Sequence, residues 1–367
     1  MKILLITSSD ITVKSGGGFA NRAFYDSLTT HYPDSIDIVQ YNALGGKMRS
    51  LLRGKIHRLY DWLLDYLDER KGEYRICVIN SGLFGDLVPE IKKRGIRVVT
   101  IHHNYEAVFQ MDNRRPTTLW GLTPRFVRRN EKKAYQQSDL NIFLSAYDRD
   151  MMRTHYGATE SQNDVVVGGY ETLEQTKAFS KEEPRKNPSI DVAVSGCLNH
   201  LQTELGIRDF AQHYEDLYRK MMPSSRLVIT GRTPCKFITE YAHRNDIVLV
   251  PNPDSISEVI KDCSIYLCPV NVGSGVKFRI LDGLRLGMPI LTHEVSARGY
   301  EVFADKPWFQ SYHDTVSFEK GLKTILAYID QHENFRSEIA QEYLSVFSFE
   351  AGDRRFMEAF SNLDKHI

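Results

Sequence analysis

The chain has few cysteines and no pattern among them. Cys77, Cys197, Cys235, Cys263 and Cys268 are odd in number and show no C-x-x-C spacing, so neither a disulfide framework nor a zinc site is indicated. Long apolar runs are missing too. No stretch approaches the roughly 20 residues needed to cross a bilayer, and the apolar start of the chain is too short for a signal peptide and lacks a small-residue cleavage pattern. Net charge is also absent: 47 Lys and Arg balance 47 Asp and Glu, so no global field recruits nucleic acid. These absences predict a protein of the reducing cytoplasm, soluble or peripheral on the inner face of a membrane.

What is present is core material. Hydrophobic residues make up 42% of 367 positions, and that length exceeds one core's usual size, so two domains of about 170 residues each are expected. Short β-branched runs at 2–7, 36–41, 76–80, 98–102 and 140–144 alternate with helical patterns. The theme repeats at 191–195, 227–230, 247–250, 265–269 and 290–292. Such alternation predicts right-handed βαβ units and parallel sheets. The expected fold class is therefore α/β, with two doubly wound, Rossmann-like domains: 1–172, then a polar linker 173–188, then 189–346, with a closing segment 347–367. Ligands of doubly wound sheets sit beyond the carboxyl ends of the strands, so an active-site cleft between the domains is expected.

The most informative segment runs from Ser264 to Thr292. It reads as a buried strand, a glycine loop (Gly273-Ser274-Gly275), Lys277 in the first turn of a helix, a glycine stop and a second apolar strand. That order aims backbone N–H groups, a positive helix end and an ammonium at one point, which suits a diphosphate. The spelling, with Lys277 two residues past the loop, Asp282 five further on and then Gly287-Met288-Pro289, resembles the donor-site segment of GT-B fold glycosyltransferases. The resemblance is to family 4, the group 1 glycosyl transferases.

It implies that Gly273, Ser274, Gly275 and Lys277 hold the diphosphate of a nucleotide sugar, and that Asp282 holds the ribose. Asp282 is one methylene shorter than the family's Glu, and Ser274 stands where the family carries another Glu. The basic residues that the family places after the first strand of its second domain are missing around Gly196 and Cys197. Arg232, at the end of the next strand, and Arg298, in the loop after 290–292, are expected to supplement Lys277. Backbone around Val250-Pro251-Asn252 is the expected base contact. The resemblance also implies retention of anomeric configuration, and a final helix that crosses back onto the first domain. A terminal amphipathic helix packed on the second domain is the plainer alternative.

On the first domain, three glycines, Gly16 to Gly18, enter a helix after the first strand. Glycine permits close approach of a ligand, and the resemblance places Gly17 and Gly18 against the donor. The G-x-G-x-x-G spacing of a dinucleotide site is absent. The fourth strand runs into His102-His103-Asn104-Tyr105-Glu106, which resembles the family's His-Asn-x-Glu segment. His103, Asn104 and Glu106 are assigned to the acceptor side, with His103 catalytic beside Lys277, because neutral imidazole both donates and accepts hydrogen bonds. His102 reads as a strand-end residue satisfied by packing. Glu131, three residues after Arg128, reads as an ion-paired structural residue. No metal site and no cofactor are expected.

Two basic stretches accompany these motifs. Lys47, Arg49, Arg53, Lys55 and Arg58 are interleaved with Leu51, Leu52, Ile56, Leu59, Trp62, Leu63 and Tyr66. A second cluster comprises Arg114, Arg115, Arg125, Arg128, Arg129, Lys132 and Lys133, with Trp120. Either suits docking on anionic lipid, and either also suits a solvated helix face. The sequence thus predicts a glycosyltransferase that moves sugar from a nucleotide diphosphate sugar to a hydroxyl on a glycan or lipid-linked acceptor, in surface glycan or glycolipid assembly. A catalytically silent partner subunit of another glycosyltransferase, and a sugar-nucleotide epimerase of the same fold, remain open.

Overall fold

The computed structural model describes residues 2–7, 16–40, 60–108, 123–157, 163–179, 190–245 and 247–364. The chain divides into two compact units. Of the described residues, the first holds those up to Thr176 together with those from Ser348 onward, and the second holds those from Lys177 to Phe347.

The first unit is built on a parallel six-stranded sheet: β1 (Lys2–Thr7), β2 (Ile36–Gln40), β3 (Tyr74–Asn80), β4 (Arg97–His102), β5 (Leu140–Phe143) and β6 (Asp164–Val166). Its order is β2-β1-β3-β4-β5-β6. The second unit repeats the plan with β7 (Val192–Cys197), β8 (Leu227–Arg232), β9 (Val248–Pro251), β10 (Ile265–Cys268), β11 (Ile290–His293) and β12 (Phe309–Tyr312), in the order β12-β11-β10-β7-β8-β9. Both are doubly wound α/β sheets, as the sequence predicts. Two edge strands, β6 and β12, escaped the sequence reading.

The central strands read as continuous apolar runs because helices cover both faces of a parallel sheet. Successive residues of β10 show this directly. Ile265 and Leu267 join the cluster on one face with Phe210, Tyr214 and Leu322, while Tyr266 and Cys268 join the opposite cluster with Ile280, Leu284 and Phe303. Each such fully buried aliphatic side chain contributes roughly 1.5–3 kcal/mol.

Strand order reverses between β1 and β3 in the first sheet and between β7 and β10 in the second. At such switch points the connections leave in opposite directions and open a crevice at the carboxyl ends. The expected linker begins as a helix, Leu173–Phe179, whose Leu173 N–H donates to Asp26. The last helix, Phe349–Asp364, packs on the first unit: Phe356 meets Phe24, His31 pairs with Asp353 at 2.9 Å, and the N–H of Phe349 donates to Thr176. Among the described residues no helix is long and apolar enough to cross a membrane.

Candidate functional site

In the second unit, β7 ends at the switch point as Ser195-Gly196-Cys197, in register with Thr230-Gly231-Arg232 of β8. The glycine loop follows β10 on the other side of the crevice. Lys277 lies in a turn before the helix, not in its first turn: the helix is Ile280–Arg285, with Arg279 just before it and no side-chain cap. The glycines delay helix entry, so the helix is short and contributes less field than the sequence reading assumes. The Lys277 ammonium is buried and donates to the carbonyls of Ser274 (3.0 Å) and Gly275 (3.3 Å), and Tyr300 donates its hydroxyl to the Lys277 carbonyl.

Arg298 donates to the Gly273 carbonyl at 3.4 Å, which brings it to the loop. Arg232 sits at the end of β8, exposed, and makes no side-chain contact with that cluster. Asn252 adopts a positive φ of 50°, held by its N–H to Gly231 and by its side chain accepting from Thr233, which gives it a turn-forming role.

Asp282 accepts from the Ser195 hydroxyl at 2.9 Å, and Ser195 in turn meets Tyr266 at 2.7 Å. Its other oxygen lies 3.6 Å from Arg285. Burial first, and the Asp282 charge second, hold the Tyr266 phenol well above its usual range.

Two residues that sequence reasoning missed complete this cluster. Arg279 lies across the end of β7, donating to the Ser195 carbonyl (3.2 Å) and to Thr203 Oγ1 (3.0 Å). Only glycine fits beneath it. Gly196 has φ 141°, and a Cβ there would stand 2.5 Å from the guanidinium. Gln202, in the first turn of the helix Leu201–His213, lies against Gly273 (φ 94°), where a Cβ would fall 2.1 Å from its Nε2. His200, just before that helix, is held below its ordinary pKa by burial and then by the charges of Arg279 and Lys277. Arg279 had a sequence signal, two residues past Lys277. Gln202 had none.

In the first unit, Gly17 and Gly18 belong to the first turn of the helix Gly16–His31, not to a loop before it; residues 8–15 lie outside the described residues. His103 Nε2 bonds Asn80 Oδ1 at the end of β3, and Asn80 also donates to Asn21, so one asparagine ties β3, β4 and the first helix together. Phe24 stands edge-on to the His103 ring. Among the described residues, the buried His103 Nδ1 and Asn104 Oδ1 have no partner. Desolvation, then the neighbouring His102, lowers the His103 pKa to about 4.

His102 is packed as predicted, stacked on Phe143 and bonded to Asn141. Glu131 differs from the expected ion pair. Its buried carboxylate accepts from the N–H groups of Glu106 and Ala107 and from Tyr156, while Arg128 is exposed. The Glu106 backbone is therefore fixed by Glu131.

The basic stretch at 47–58, and Arg114, Arg115 and Trp120 of the second cluster, lie outside the described residues. Of the remainder, Trp62 is 42% exposed and stacked on Tyr66, Leu63 is buried, Arg125, Arg128, Arg129 and Lys132 are exposed, and Lys133 pairs with Asp86. Among the described residues no group of three or more His, Cys, Asp or Glu side chains is arranged to hold a metal ion.

No protein-family model matches the chain, and no curated protein matches it in sequence. Solved structures do match in fold. HepE of Anabaena in complex with UDP-glucose superposes with a TM-score of 0.66 at 12% identity, over 99% of this chain and 100% of that one. Sucrose-phosphate synthase of Thermosynechococcus elongatus gives 0.69 at 10% identity, over 100% of both chains. The lipopolysaccharide outer core galactosyltransferase WaaB gives 0.66 at 12%, over 99% of both. With two parallel six-stranded sheets matched along essentially the whole chain, the fold is that of the GT-B glycosyltransferases.

Proposed function

We propose that the chain is a glycosyltransferase that moves a sugar from a nucleotide diphosphate sugar to a hydroxyl acceptor. The observation that carries this reading is the convergence of the glycine loop, Lys277, Arg279 and Arg298 at the switch point of the second sheet. That is a cationic, backbone-lined crevice of the kind a diphosphate fills. HepE, alike in fold, was solved with UDP-glucose, which agrees with such a donor.

In this reading Gly273, Ser274 and Gly275 line the diphosphate, and the cationic loop around Lys277 stabilises the charge that develops as it departs. Asp282 meets the ribose. Gly17 and Gly18 face the donor from the first unit, and His103, Asn104 and Glu106 form the acceptor side. His103 stays neutral above about pH 5, given its lowered pKa, and its buried Nδ1 offers a hydrogen bond to a sugar hydroxyl. No metal or cofactor is invoked, and retention of configuration, membership of family 4 and a cytoplasmic place are part of the proposal. The acceptor is a glycan or lipid-linked sugar, with the basic stretch at 47–58 resting on an anionic membrane.

A second reading, a catalytically silent partner subunit, is favoured by the Asp282 carboxylate already being held by Ser195 and Arg285. A screen of UDP, GDP, ADP and CDP and their sugars for binding, followed by product analysis with each bound sugar nucleotide, tests both. Transfer to an added acceptor is expected. Binding without turnover selects the silent partner, epimerised donor selects an epimerase, and no binding removes the nucleotide-sugar reading.

A further inference from the structure

We infer that Arg279 and the side-chain amide of Gln202 make the direct contacts to the donor diphosphate, while Lys277 shapes the loop around it. The inference rests on the nucleotide-sugar reading and assigns its phosphate subsite to two residues that meet at the end of β7.

The first observation is an unmet hydrogen bond. Gln202 is 5% exposed, and among the described residues its Nε2 has no acceptor. A buried amide donor without a partner costs stability, so its persistence points to an acceptor supplied from outside the chain. The amide lies against the glycine loop, in the space that a Cβ on Gly273 would fill.

The second observation is an unbalanced charge. Arg279 gives its two terminal nitrogens to neutral acceptors, Ser195 O and Thr203 Oγ1. A guanidinium has five N–H donors, and among the described residues no carboxylate pairs with this one. A partly buried cation with spare donors and no counter-ion fits an anionic ligand. Thr203 follows Gln202 in the chain, so the cation and the orphan amide are held by the same helical turn. That helix, Leu201–His213, begins without a side-chain cap from His200, and its first N–H groups add to the positive potential.

Lys277 presents the opposite case. It is 7% exposed, its ammonium is engaged with the carbonyls of Ser274 and Gly275, and its own carbonyl is fixed by Tyr300. Its first duty is to hold the loop in the turn that positions Gly273 against Gln202. A phosphate brings what the other two residues lack: oxygen acceptors for the amide and negative charge for the guanidinium. A nucleoside carries no such charge.

Isothermal titration of the full chain with UDP and with uridine tests this, with GDP, ADP and CDP and their nucleosides replacing them if another base binds more tightly. Arg279→Gln is expected to weaken diphosphate binding about 10- to 100-fold and nucleoside binding less than about threefold, and Arg279→Lys to recover part of the loss. Gln202→Met, of similar length without the donor, is expected to lose about 3- to 10-fold for the diphosphate alone. Lys277→Met is expected to lower thermal stability and to weaken diphosphate and nucleoside to a similar degree.

If Arg279→Gln and Gln202→Met bind the diphosphate within twofold of wild type, or if Lys277→Met alone removes the diphosphate increment, the assignment is overturned. Should Arg279→Gln fail to fold by circular dichroism, Arg279→Lys and Gln202→Met carry the same decision. Wild-type protein that binds none of the four diphosphates overturns the nucleotide-sugar reading itself, a result distinct from normal wild-type binding with indifferent variants.

Discussion

Glu131 accepts the hydroxyl of Tyr156 at 2.6 Å, with both side chains in the interior of the first unit. The same carboxylate takes the N–H groups of Glu106 (2.6 Å) and Ala107 (3.2 Å). The helix Thr123–Gln137 thereby fixes the backbone that follows His103 and Asn104.

This arrangement makes a pH prediction. Burial, outweighing the hydrogen bonds, raises the Glu131 pKa from 4.5 to about 8. Between those values the folded chain holds a proton that the unfolded chain has released, so the contribution is complete below about pH 4.5 and is lost as pH rises through about 8. The slope is at most about 1.4 kcal/mol per pH unit. Urea denaturation from pH 5 to 9 should show Glu131→Gln flatter than wild type; parallel curves would mean that Glu131 is ionised throughout.

The two histidines act in the opposite sense. Desolvation lowers His102 and His103 from 6.5 to about 4, so the unfolded chain binds more protons in that window and stability falls as pH drops through it. Imidazole NMR should show both rings neutral from pH 5 to 8. A ring that titrates near 6.5 would remove the neutral His103 that the proposed acceptor contact requires.

Gly352 tests the seat of the last helix. Alanine gains about 1 kcal/mol of helix propensity, yet its Cβ would fall 2.0 Å from the Tyr170 ring. That ring is pinned by Ser27, Phe24 and Phe349, so overpacking of about 1–3 kcal/mol is expected to win. Gly352→Ala should lower Tm; an unchanged or higher Tm would show that Tyr170 yields freely.

Asp282→Asn keeps an acceptor for Ser195 and removes the charge facing Arg285. If Asp282 meets ribose, the variant should lose about tenfold for ribonucleotides and much less for 2′,3′-modified ones. Equal loss for both ligands would leave Asp282 with the role of holding Ser195 and Tyr266.

The basic stretch before Tyr60 is tested at a surface. Arg49→Glu with Arg53→Glu should reduce sedimentation with anionic vesicles, since each basic residue contributes about 1 kcal/mol there, and should leave transfer to a soluble acceptor intact. Wild-type protein that ignores such vesicles at low salt would end the membrane part of the proposal.

The sequence by itself determined the two sheets. Runs such as Ile3 to Ile6 of β1 are apolar throughout because both their faces are covered, and that pattern is written locally. β6 is three residues long, and β12 sets the less buried Gln310 and Ser311 between buried Phe309 and Tyr312, so neither edge strand carries that signal. The glycine loop was equally legible, as glycines before a lysine.

Tertiary structure alone decided what those residues face. Lys277 turned inward onto carbonyls of its own loop, and Glu131 left Arg128 for the backbone N–H groups of Glu106 and Ala107. Arg279 and Gln202 were brought together from opposite sides of the crevice. The physical reason is that a polar side chain's role is set by which donors and acceptors surround it once water is gone. For Glu131, Arg279 and Gln202 those neighbours come from segments far apart in the chain, so no local pattern records them.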